Sequence, residues 1–163
     1  LAEGELQAVD VAAPTVTFQD PCRLGRHLGV TQAPRRVLEA LAGADCDGGD
    51  RSSGANGGLV EMERSGQDAN CCGTSGFIHC DANSRRLQSE RLASAAATGA
   101  DTLVTACPKC LIHFRCAQSE DRRTGRPDSG IEIEDLTVLA AAALDRARPD
   151  AGGIETKERG GAS

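Results

Sequence analysis

From residue 102 to residue 110 the chain reads "TLVTACPKC", and this stretch restricts the possible folds more than any other. "TLVTA" is a continuous run of apolar and β-branched residues, the pattern of a strand buried on both faces of a parallel sheet. Pro108 has no amide hydrogen to lose and a fixed φ, so it suits the first position of a helix. A buried strand that passes directly into a helix is a unit of alternating α/β architecture. Such units build a parallel sheet with right-handed crossovers and helices packed on it.

The rest of the chain repeats that alternation. "TVTFQ" (Thr15–Gln19) reads as a strand ending at the turn "DPC". "PRRVLEALAG" at 34–43 places proline at a helix start and glycine just past its end. "LVEME" at 59–63 predicts a short strand, and "SRRLQSERLASAAAT" at 84–98 a helix capped by Asn83 or Ser84 and closed by Gly99. "IEI" at 131–133 and "DLTVLAAAALDRA" at 135–147 supply the last strand and helix. The expectation is one α/β domain over 1–147, a Rossmann-like half with a parallel sheet. A polar, glycine-rich insertion at 44–58 and a disordered tail at 148–163 complete it.

Charge and hydropathy narrow the function classes. The net charge is -6 and the 18 Lys and Arg residues are scattered, so the basic footprint of a nucleic-acid binder is missing. No apolar run approaches the ~20 residues of a membrane helix. "LAEGELQAVD" has neither the basic start nor the apolar core of a secretory signal. A cytoplasmic domain without direct membrane insertion is expected, associated with a membrane only through a partner subunit. Because the chain opens on Leu1, it is expected to be part of a longer protein.

Eight cysteines in such a chain point to metal or redox chemistry rather than structural disulfides. Cys107 and Cys110 form "CPKC" where strand meets helix. At i and i+3 they share a helix face, and the helix N-terminus favours thiolate. Alone, this motif leaves a zinc half-site, a cluster half-site and a dithiol redox pair open. "NCCGTS" at 70–75 sets Cys71 beside Cys72. Neighbouring side chains of an extended segment point apart, and a disulfide between them is strained.

With Cys22 the spacing becomes C-x48-CC-x34-C-x2-C. Each element follows a strand, and functional groups of such sheets gather beyond the strands' carboxyl ends. Five thiols exceed the four that a zinc site or a cubane cluster needs. The surplus suits a cluster in which a thiolate bridges irons or iron is spread over more than one centre. A structural zinc domain of the same fold remains the alternative. A dithiol-disulfide oxidoreductase using CPKC also remains, though it leaves Cys22, Cys71 and Cys72 without a role.

"VTFQDPCRLGRH", "NCCGTSG" and "GADTLVTACPKCLIHF" together resemble the CCG, or cysteine-rich, domain. That domain occurs in heterodisulfide reductases and in iron–sulfur subunits of glycolate, lactate and anaerobic glycerol-3-phosphate dehydrogenases. The resemblance implies electron transfer through a cysteine-ligated, non-cubane [4Fe–4S] cluster. By position it implies Cys22, Cys71, Cys72, Cys107 and Cys110 as the ligands. It further implies flavin or ferredoxin-like iron–sulfur partner subunits and a disulfide or small organic acid as substrate. Two such motifs usually act together in that family. This chain is therefore expected to be the carboxyl-terminal part of a larger subunit and not a complete catalyst alone. It departs from the family in the longer gap before Cys71, and in Phe77 where further glycines are usual.

The remaining residues receive plainer readings. Cys46 and Cys80 are expected to be spectators, and Cys116 to pack as a small hydrophobe. His79 and His113 are expected to be packed or solvent-facing, and Asp20 to be a turn residue. Arg26 and His27 bring positive charge or N–H groups near Cys22 and are not assigned to the site. "GGDRSSGANGG" lacks the lysine of a phosphate-binding loop.

Overall fold

The computed structural model describes residues 15–41, 58–74 and 81–146. The expected insertion (apart from Gly58), the tail, Cys46, Cys80 and His79 lie outside them.

Among the described residues four strands form one wholly parallel sheet: β1 (Thr15–Gln19), β2 (Gly58–Leu59), β3 (Thr102–Thr105) and β4 (Glu132–Asp135). Their order is β2-β1-β3-β4. Between them run α1 (Gln32–Leu41), α2 (Ala82–Ala96) and α3 (Pro108–Thr124), and α4 (Leu136–Arg146) follows β4. The strand order reverses between β1 and β3, and crevices open outside the carboxyl ends of strands at such a switch point. Gln19 pairs in register with Thr105 at that point.

Successive residues of β3 face opposite layers. Leu103 joins Leu92 and Ala95 of α2, Phe114 of α3, and Ile131 and Ile133 in one apolar cluster. Val104 joins Val16, Phe18, Leu38 of α1 and Leu136 in the other. Covered on both faces, β3 carries the unbroken apolar pattern seen in its sequence.

Several boundaries differ from the sequence reading for local reasons. Helix α1 begins two residues before Pro34, which the first turn tolerates because those amides have no helical acceptor. Strand β2 ends at Leu59, because Glu61 turns out of the sheet to meet Arg35 and Met62 packs into the core. The cap of α2 is Asp81, whose Oδ1 accepts from the Ser84 amide at 2.8 Å. Helix α3 runs to Thr124 and stops at Gly125, which adopts the left-handed φ of 69°.

Candidate metal centre

Cys107 and Cys110 lie where β3 becomes α3. Cys107 is the N-cap residue in an extended conformation, and Pro108 takes the first helical position as its sequence suggests. The N-terminal end of this 17-residue helix, with its partial positive charge, carries both cysteines, Cys107 as the cap and Cys110 as the third helical residue. Cys110 sits one turn in and is 4% exposed.

The doublet approaches from the segment between β2 and α2. Cys72 is also 4% exposed, and its Sγ lies 3.2 Å from Sγ of Cys110. Thr74 Oγ1 is 2.6 Å from the same sulfur, and Cys71 hydrogen-bonds to it as well. Cys71 and Cys107 are half-buried and pack against the cluster that contains Cys72 and Cys110. All four are free thiols. The thiol that touches Cys110 thus belongs to the doublet.

The Cys110 thiol, in hydrogen-bond contact, pushes Cys72 above the ordinary thiol pKa, and burial adds to this. Cys71 and Thr74 draw it partly back. Two buried sulfurs this close share protons readily but hold two negative charges only beside a cation, which is the condition a metal centre meets. In metal-free chain the shift has a definite sign. Alkylation of Cys72 is expected to begin at higher pH than for an ordinary cysteine, since thiolate is the nucleophile. Residue-resolved mass spectrometry across a pH series checks this, and an onset below that of a free cysteine contradicts it.

Gly73 follows the doublet at φ 87°. A Cβ there would stand 2.6 Å from the carbonyl oxygen of Ser84, in the first turn of α2. The glycine therefore serves a left-handed turn and a close backbone approach to the helix together.

Charged side chains stitch the segment 61–70 to the end of β1. Arg35 donates two parallel bonds to Asp20, at 2.8 and 2.9 Å, two to Glu61, at 2.5 and 3.0 Å, and one to the Thr31 carbonyl at 2.6 Å. All five guanidinium donors are engaged, and Asp20 holds this arginine above its ordinary pKa. The second Asp20 oxygen also accepts from the Gly66 amide at 2.7 Å. The expected turn residue is thus a buried anchor.

After β1 the chain makes a five-residue π-helix, Arg23–His27, a geometry found mostly as single turns and often at functional sites. Arg26 on it donates to the carbonyls of Gln67 and Ala69, just ahead of the doublet. Cys22 caps this turn and is exposed, with no hydrogen bond to the other four thiols. Among the described residues no three Cys, His, Asp or Glu side chains converge on a single point as one ion would require. The structure therefore brings Cys71, Cys72, Cys107 and Cys110 together, and sets Cys22 on the adjoining turn beyond β1.

Sequence reasoning missed Asp20, Arg35 and Arg91. The signal for the two arginines was their place in line with apolar helix positions: Arg35 with Leu38 on α1, and Arg91 with Ala95 on α2. Cys116 was expected to pack but is exposed. The inner face of α3 runs through Cys110, Phe114 and Gln118, and Cys116 falls off that line. His113 is half-buried, with Nδ1 2.8 Å from Nε2 of Gln88. No helix among the described residues is long and apolar enough to cross a membrane.

Comparison with known proteins bears on this site. The cysteine-rich domain family, CCG, matches residues 55–115. A chain of the dihydromethanophenazine:CoB--CoM heterodisulfide reductase of Methanosarcina acetivorans is 36% identical over 132 residues, 80% of this chain and 28% of that protein. "Probable glycolate oxidase iron-sulfur subunit" of Bacillus subtilis is 27% identical over 146 residues, 86% of this chain and 29% of that protein. A chain of the fumarate reductase (CoM/CoB) of Methanothermobacter marburgensis is 29% identical over 102 residues, covering 61% and 18%. The chain thus spans under a third of the length of these relatives.

Proposed function

The chain carries a cysteine-rich domain of the CCG family, and from that premise we propose that it is an iron–sulfur redox domain of a heterodisulfide-reductase-like oxidoreductase. The observation that carries this reading is the buried contact of Cys72 and Cys110, with Cys71 and Cys107 packed around it at the switch point of the sheet. An all-sulfur donor set suits iron–sulfur clusters and zinc, and five thiols suit a cluster.

In this reading Cys22, Cys71, Cys72, Cys107 and Cys110 hold a non-cubane [4Fe–4S] cluster as thiolates. Such a cluster supplies one-electron transfer. The protein's own part is to hold five sulfurs in place, to exclude water with Leu103, Leu111 and Phe114, and to set the positive end of α3 beside the negative charge. Arg26 holds the approach to the doublet from the Cys22 turn.

Its place is the carboxyl-terminal part of a larger polypeptide, exchanging electrons with a flavin or ferredoxin-like iron–sulfur partner. The substrate class of the whole assembly is a disulfide or a small organic acid. The names of relatives that reduce a heterodisulfide or serve glycolate oxidation support that range.

Anaerobic reconstitution followed by iron, sulfide and zinc analysis tests the reading. Iron and sulfide together, with an EPR signal on oxidation or reduction, are expected. Stoichiometric zinc without iron overturns it in favour of a structural zinc domain. An iron-free fold with only Cys107 and Cys110 redox-active overturns it in favour of a dithiol enzyme.

A further inference from the structure

Arg91 is the largest of the fully buried side chains, 1% exposed on the inner face of α2. Among the described residues no carboxylate hydrogen-bonds to it. Its Nε donates to Oε1 of Gln19 at 2.5 Å and its Nη1 to the carbonyl of Arg64 at 2.8 Å, while Nη2 is buried without a hydrogen-bond partner. Burial lowers its pKa to about 10, and Asp20 and Glu61 offset this only through longer-range charge. A guanidinium buried on these terms is a poor stabiliser compared with an apolar side chain of similar volume. Its use lies in what it orients.

Gln19 is the last residue of β1 and is itself 1% exposed. A side-chain amide has one accepting end and one donating end, and arginine can only donate. Arg91 therefore claims the Gln19 oxygen and leaves Nε2 to donate, which it does to the carbonyls of Asn70 at 3.1 Å and Asp20 at 3.0 Å. Asn70 directly precedes the doublet. Its peptide with Cys71 is planar and trans, so fixing the Asn70 carbonyl also fixes the Cys71 amide on the opposite side. The same guanidinium holds the Arg64 carbonyl, so both ends of the segment 64–70 answer to one side chain.

We propose that Arg91, acting through the Gln19 amide, is a positioning residue that selects the orientation of the Asn70–Cys71 peptide and so the placement of the Cys71–Cys72 doublet. The proposal rests on the doublet being the working part of the site, but not on what the doublet binds.

Two variants of the full chain separate positioning from packing. Gln19→Glu keeps an acceptor for Arg91, and so keeps the guanidinium paired, but cannot donate to Asn70. Arg91→Met keeps most of the volume and removes the donor that orients Gln19. In reduced, metal-free protein, iodoacetamide labelling of Cys72 is expected to accelerate about tenfold relative to exposed Cys116 in both, the effect of roughly one lost hydrogen bond. Arg91→Lys, which retains a donor for Gln19, is expected to return the ratio toward the parent value. In iron-loaded protein, Gln19→Glu is expected to change the EPR g values and reduction midpoint at unchanged iron content. A Gln19→Glu chain that keeps the parent labelling ratio overturns the proposal. So does an Arg91→Met chain that melts earlier with that ratio unmoved, which marks Arg91 as packing alone. Should Arg91→Met not fold, Gln19→Glu decides. Failure of every chain to bind iron would sink the iron–sulfur reading and leave the labelling result to stand by itself.

Discussion

Cys72→Ser is expected to abolish iron loading on anaerobic reconstitution, while Cys116→Ser loads like the parent chain. Cys72 is the hub of the thiol group: its sulfur contacts Cys110 at 3.2 Å and Thr74 at 2.6 Å, and takes a hydrogen bond from Cys71. Serine offers a hard, weakly acidic oxygen where iron and sulfide favour soft thiolate. Changes in groups that only support a ligand lower metal affinity about 10- to 100-fold, so loss of a central thiolate should exceed ~100-fold. Cys116 is exposed on α3 and off the line of its inner face, so its removal leaves the site intact. Iron and sulfide content with EPR of the two variants are the measurements. Equal loading by both removes Cys72 from the ligand set.

Arg35→Ala is expected to destabilise the fold by about 3–5 kcal/mol, the usual consequence of removing one partner of a buried ion pair. That lowers the melting temperature by roughly 10 °C or more. The side chain of Asp20 is 2% exposed and would keep only the Gly66 amide, while Glu61, at 38% exposure, can turn to water. The change therefore acts mainly through Asp20. Adding Asp20→Asn to Arg35→Ala removes the stranded charge and should recover more than ~0.5 kcal/mol, beyond what independent sites would give. Thermal melts of both single variants and the double variant measure this. Strict additivity would show that the pair is not coupled.

The strands and helices were legible because burial on two faces leaves a mark at short range. "TLVTA" could hardly be anything but an interior strand, and Pro108 marked the helix start it occupies. The meeting of the doublet with "CPKC" was legible in part, since Cys107 directly follows β3, but the order of the chain did not show that Cys22 stands apart on its own turn. Less legible was anything that depended on partners distant in sequence. "LVEME" reads as a five-residue strand, but β2 ends at Leu59, where Glu61 meets Arg35, 26 positions away, and Met62 packs into the core. Asp20 looked like a turn residue because its two side-chain partners, Arg35 and Gly66, lie on α1 and beyond β2. Arg91 was hidden by its type, since an arginine on a helix ordinarily means a solvent-facing side chain.

The third letter of the CCG signature takes on a separate meaning here. A side chain at Gly73 would collide with the Ser84 carbonyl, so the glycine records how early the following helix begins and how closely it lies against the doublet. Asp81 fixes that beginning by capping α2 three residues before Ser84. In sequence comparison, then, Gly73 should vary together with the Asp81 cap rather than with the cysteines. A chain that kept two adjacent cysteines but lost this glycine would be expected to start its next helix later, or farther from the doublet. Two letters of the motif thus speak for chemistry, and the third for the distance between a loop and a helix.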